Sequence, residues 1–151
     1  MSGSRQVVQS ETAANPAHSL YAPVLWGIVV GALQAASPFA FWWLTPPTIY
    51  ALGLALIATI YIGLAVGDGR TRVIAVECCV AAIFVVLAAA SITGTAWLLV
   101  LGYAGHGAKD LWQHRRQFVA RTRWWPPFCL VVDWIVALAI AAAIVLGAHL
   151  H

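Results

Sequence analysis

"GYAGHGAKDLWQHRR", Gly102–Arg116, decides the fold. Two histidines, a lysine, an aspartate and two arginines crowd into this stretch of a chain that is otherwise strongly apolar. Hydrophobic residues fill 62% of 151 positions and charged residues only 9%, against roughly 45–50% and 25% in ordinary globular domains. So few charges cannot cover that much apolar surface in water. The chain reads as an integral membrane protein, and the stretch reads as part of one of its spans.

About 20 largely apolar residues cross the hydrocarbon as a helix. Five segments qualify: Tyr21–Leu44, Thr48–Val66, Arg72–Ile92, Thr95–Arg115 and Trp125–Leu150. The connections "TPPT", "GDGRT", "TGT" and "RQFVARTRW" are short and punctuated by Pro46, Pro47, Gly67 and Gly69, which break or turn the backbone. Pro126 and Pro127 fall in the first turn of the last segment, where proline is best tolerated. The predicted fold is all-α, a transmembrane bundle of five helices forming one domain over 21–151. Residues 1–20 are polar, with Arg5 and Glu11 and no apolar run, and read as a disordered cytoplasmic tail rather than a secretory signal. His18 in that tail is expected to be solvated.

Arg5 lies in the tail, Arg70 and Arg72 lie at the second loop, and Arg115, Arg116, Arg121 and Arg123 lie at the fourth. The first and third loops carry no basic residue. The positive-inside rule therefore predicts a cytoplasmic N-terminus and an outside C-terminus. Arginine outnumbers lysine seven to one, a bias that suggests a GC-rich bacterial genome and hence a multi-pass protein of the inner (plasma) membrane. Trp42, Trp43 and Trp97 at one set of helix ends, and Trp112, Trp124 and Trp125 at the other, match interfacial aromatic belts. Trp26 and Trp134 sit deeper and are expected to pack against neighbours. Gly27 and Gly31, four residues apart, predict a close helix contact, and Pro38 predicts a kink. Cys78, Cys79 and Cys129 have no metal-type spacing and read as small buried side chains. The basic residues do not interleave with aromatics on a soluble face, which excludes a nucleic-acid partner.

At 100° per residue, Tyr103, His106, Asp110, Gln113, His114 and Gln117 share one face of the fourth helix. Trp112 points the opposite way, and Lys109 is expected on the flank, its long stem reaching the headgroups. Counted from the cytoplasmic ends, Glu77 lies about 8 Å deep, Asp133 about 12 Å, Asp110 about 8 Å and His106 about 14 Å. The predicted site is one layer of Glu77, His106, Asp110 and Asp133 on three successive helices. Charges at such depth pair with one another and mark function, and crowded carboxylates shift their neighbours' proton affinities toward acid–base work. The purely structural alternative has Lys109 or an arginine neutralising Asp110 while His106 bonds Glu77 or Asp133.

His106, Asp110 and His114, at i, i+4, i+8, align as ligands for a divalent metal. Lys109, Arg115, Arg116, Arg121 and Arg123 suit an anionic substrate head-group. Only His106 lies at a depth suited to haem, and no nucleotide-binding or hydrolase motif is present. His149 and His151 read as terminal residues without a role. The leading functional expectation is a membrane-embedded enzyme, or a biosynthetic partner of one, acting on a lipophilic small molecule. The others are a small transporter or proton-coupled permeation subunit and a structural subunit of a membrane complex. A bundle this small also suggests a homo-oligomer or a membrane-complex partner.

Overall fold

A computed structural model describes residues 16–147, with side chains from Leu20 onward. Among them are five helices: α1 Pro16–Ala40, α2 Pro46–Asp68, α3 Thr71–Thr93, α4 Trp97–Arg116 and α5 Trp125–Val145. The protein is all-helical in this region. The expectations for Arg5, Glu11 and the two terminal histidines lie outside the described residues, as does the side chain of His18.

Local chemistry sets the helix ends. Thr45 is extended, and Pro46 and Pro47 open α2, where proline's missing N–H would have had no partner anyway. Gly69 closes α2 in the left-handed region at φ 82°, its N–H bonded to the Ala65 carbonyl, the glycine closure common at helix C-termini. Gln117 adopts the same region at φ 49° and ends α4. Two expected boundaries move. Helix α1 begins at Pro16 and stops at Ala40, not Leu44. Pro38 removes a helical donor just before that end, and Phe41–Leu44 continue as a turn. Helix α5 ends at Val145, where the Leu146 N–H folds back onto Ala142.

The helices pack chiefly as α4 on α5, α1 on α5 and α2 on α3, with α4 also touching α3 and α2. Helix α4 is therefore the inner element. Leu54 of α2, Phe84 and Ala88 of α3, Leu99 and Tyr103 of α4, and Val136 and Ile140 of α5 form one core. A smaller cluster of Tyr61, Ala65, Val73 and Val119 closes the end near the second and fourth loops. Gly27 and Gly31 do make the close contact expected of them. A Cβ on Gly27 would stand 2.8 Å from the Phe128 carbonyl and the Val131 Cβ, and one on Gly31 would crowd Ile135.

Polarity is distributed inside out. Glu77, His106, Asp110, Gln113 and Asp133 are buried, while Leu33, Leu56, Val86, Leu138 and many other large apolar side chains face outward. Helices α1 (from Leu20), α2, α3 and α5 are each long and apolar enough to cross a membrane, which is the chemistry of a membrane protein. Helix α4 is similar in length, 20 residues or roughly 30 Å, but its polar face lowers its apolar content. Two packing expectations are corrected: Trp26 is exposed, and so are Cys78 and Cys79.

The second and fourth loops lie side by side. The Arg70 guanidinium donates to both Asp68 oxygens and to the Phe118 carbonyl at 2.6 Å, and the Ala120 N–H donates to Asp68 at 2.6 Å. The arginine-bearing loops thus share one end of the bundle.

Candidate functional site

Three residues meet where α4 crosses α5. His106 Nδ1 stands 2.7 Å from Asp133 Oδ2 and 3.4 Å from Asp110 Oδ2, with all three side chains no more than 1% exposed. Helical periodicity delivers His106 and Asp110 to one face. Gly107 allows α5 to come close. A Cβ there would collide with the Trp134 ring and stand 3.3 Å from Asp133 Cβ. Trp134 itself is largely exposed, and only its ring edge reaches α4.

The fourth expected residue, Glu77, is reached through Lys109. The ammonium donates to Glu77 Oε2 at 2.7 Å and sits 3.1 Å from the centroid of the Tyr61 ring. This corrects the expectation that Lys109 flanks the layer and rises to the headgroups. Its side chain is only 13% exposed, because a buried carboxylate and an aromatic face attract the cation more than a path outward along α4 does. The correction also removes the structural account of Asp110, whose expected counter-charge is taken by Glu77.

Asp110 is the uncompensated group. By strict hydrogen-bond geometry neither of its oxygens is paired among the described residues, nor are Asp133 Oδ1, the Tyr61 hydroxyl and the Gln113 amide. The nearest groups are the His106 imidazole, a 3.4 Å ion-pair contact shared with Asp133, and the Tyr61 phenol. Buried polar atoms are nearly always paired, and unpaired ones carry a cost of about 1–3 kcal/mol each. Several in one place indicate a site built for something else to complete it.

Other expected residues lie apart. His114 is half-buried with an unpartnered Nδ1 and does not join the His106, Asp110 and Asp133 group, whose ligand atoms all lie within 4.8 Å of one another. Asp133 takes the place assigned to His114. Arg115, Arg116, Arg121 and Arg123 are exposed and form no ion pair among the described residues.

The structure adds residues the sequence did not single out. Tyr61 stacks edge-on to His106 at 5.9 Å, and Phe84 does so at 4.9 Å. The one available signal was a phenol in the inner half of an otherwise apolar α2. Toward the other end, the Tyr103 hydroxyl donates to the Tyr50 carbonyl, and the Tyr50 hydroxyl donates to the Ala35 carbonyl. Fully buried Leu54, Leu99, Val136 and Ile140 lie in that half.

Comparison with known protein families, curated proteins and solved structures finds no match.

Proposed function

We propose that this chain is a five-span protein of the bacterial inner membrane, N-terminus inside and C-terminus outside, that works as a membrane-embedded enzyme, or a biosynthetic partner of one, on a lipophilic substrate. The observation that carries the reading is Asp110, buried and unpartnered beside a His106–Asp133 pair. In that arrangement Asp133 orients the imidazole, and Asp110 is the base whose lone pairs remain free for a proton from substrate. Lys109 and Glu77 neutralise each other alongside, so the layer keeps excess negative charge and proton-accepting capacity. The exposed arginines of the fourth loop supply contacts for an anionic head-group and favour the cytoplasmic placement of that end. Helix α4 completes the span count when its polar face turns to its neighbours. The partners of this reading are the bilayer, a lipophilic small molecule and a second copy or other membrane subunit.

A transport relay needs polar groups across the whole thickness. The far half of the bundle holds the Tyr103 and Tyr50 hydroxyls, Gln34 and Ser91 among apolar side chains but no charged residue, which favours a pocket open from one side. A purely structural role gives Asp110 only a 3.4 Å contact to the imidazole that Asp133 already holds at 2.7 Å. The test is to express the wild-type chain and Asp110→Asn at equal membrane levels and compare lipid extracts by mass spectrometry. A lipophilic species altered only by the wild type supports the enzyme. Identical extracts overturn it. Proton flux through wild-type proteoliposomes, followed with a trapped pH dye, would replace it with the relay.

A further inference from the structure

We infer that His106, Asp110 and Asp133 bind a divalent first-row transition-metal cation, held between the inner ends of α4 and α5. The inference rests on the layer being a functional centre and names what completes it: the cation replaces the proton between His106 and Asp133, and the Asp110 oxygen not bound to it remains the proton acceptor. Charge comes first. With Lys109 committed to Glu77, two buried carboxylates share a single imidazole. One divalent cation with a neutral imidazole brings the trio to zero net charge, as does a protonated imidazole with one protonated carboxyl, but only the cation also engages the unpartnered oxygens. A buried uncompensated charge is strongly disfavoured.

Geometry agrees. Donor atoms about 2.0–2.2 Å from a cation stand about 3.0–3.5 Å apart along one coordination edge. His106 Nδ1 and Asp110 Oδ2 are already 3.4 Å apart. Nδ1 and Asp133 Oδ2, at 2.7 Å, must separate by about 0.3–0.8 Å to reach that edge. That opening follows when the proton they share leaves for solvent and the cation takes its place. The unpartnered atoms then acquire a purpose. Asp110 supplies two free oxygens and Asp133 one, with the Tyr61 ring beside the imidazole. One nitrogen and several oxygens suit Mn²⁺, Fe²⁺ or Zn²⁺, and the lack of a thiolate in the trio disfavours Cu⁺. Three protein ligands leave coordination positions open, as in sites where a metal acts on water or substrate.

The experiment uses the full chain, its affinity tag removed, purified in detergent, stripped with EDTA and titrated with Co²⁺. Expected is one Co²⁺ per chain, with visible absorption of a nitrogen–oxygen site. Asp110→Asn and Asp133→Asn should each weaken binding by more than about 100-fold, the upper end of what loss of an outer-sphere partner costs. His114→Ala should bind like wild type. Failure of the stripped wild-type chain to take up Co²⁺ overturns the site, whatever the variants do. Wild-type affinity in a monodisperse Asp133→Asn, or loss of binding in His114→Ala, overturns the ligand set. Metal uptake with unchanged lipid extracts would refute only the enzyme; altered extracts without uptake would refute only the cation.

Discussion

Cutting the His106–Asp133 contact from both sides should leave a double variant more stable than the sum of the two single losses. The contact is a 2.7 Å hydrogen bond between side chains no more than 1% exposed. Buried bonds involving charged groups contribute about 1.5–3 kcal/mol in soluble proteins. Within membranes, double-mutant cycles average about 0.6 and reach about 1.7 kcal/mol, because the unfolded chain also finds partners there. Short length and full burial place this pair in the upper part of that range, about 1–1.7 kcal/mol. Each kcal/mol corresponds to about 2–4 °C in melting temperature for a chain of this size. Asp110 modifies the result. At 3.4 Å from the same nitrogen, it can receive His106 once Asp133 is gone, so the His106→Ala/Asp133→Ala cycle should show stronger coupling in an Asp110→Asn background. The assay is thermal unfolding of metal-stripped protein in detergent, all variants at one pH. Additivity within about 0.3 kcal/mol in both backgrounds is the behaviour of separated residues. It would refute the convergence of α4 and α5 at this point.

Glu77→Ala should destabilise by about 1–3 kcal/mol, below the usual cost of breaking a buried pair because Lys109 keeps 13% exposure; adding Lys109→Met should restore most of the loss in the same unfolding assay. Gly107→Ala should cost about 1–3 kcal/mol by overpacking, since its new Cβ meets the Trp134 ring; melting temperatures should show recovery in Gly107→Ala/Trp134→Ala and no recovery in Gly107→Ala/Trp26→Ala. An alkaline phosphatase fused after His151 should be active, whereas fluorescence of a cytoplasmic reporter at that position would reverse the proposed orientation.

Proline and glycine made the helices legible. Pro46, Pro47, Gly69, Pro126 and Pro127 mark ends by backbone restriction alone, and the structure turns at those points. The end of α1 was misplaced because Trp42, Trp43 and Leu44 are as apolar as the helix before them, so composition offers no stop after Pro38. Periodicity places Tyr103, His106, Asp110, Gln113, His114 and Gln117 on one face; the first four are buried, while His114 and Gln117, at the end of α4, are half-buried. Lys109 escaped it because a long flexible stem at the margin of a face can turn either way. Its choice depends on Glu77, a residue of another helix. Tyr61 and Phe84 were hidden for a related reason. In a uniformly apolar helix no period distinguishes the side chain that meets the site from those that meet lipid.

Helix α4 is the segment in which these arguments converge. Lys109 and Asp110 would each cost about 2.5–3.5 kcal/mol near the centre of an isolated span, while each Leu or Val returns only about 0.3–0.6. The apolar first half, Trp97–Leu101, cannot offset both charges. The cost falls when the charges find partners outside the helix, and the structure supplies them on two sides: Glu77 of α3 for Lys109, and Asp133 of α5 for the His106 that stands one turn from Asp110. Apolar Leu101 and amphipathic Trp112 remain outward. In the proposed five-span arrangement the hydropathy of α4 taken alone would underestimate its fitness for the bilayer, since the polar side chains of its inward face are buried. The same pairing leaves one carboxylate over. Structural pairing accounts for Lys109, Glu77, His106 and Asp133. Asp110 is left with a 3.4 Å contact to an imidazole already bonded to Asp133, so two buried carboxylates depend on one ring.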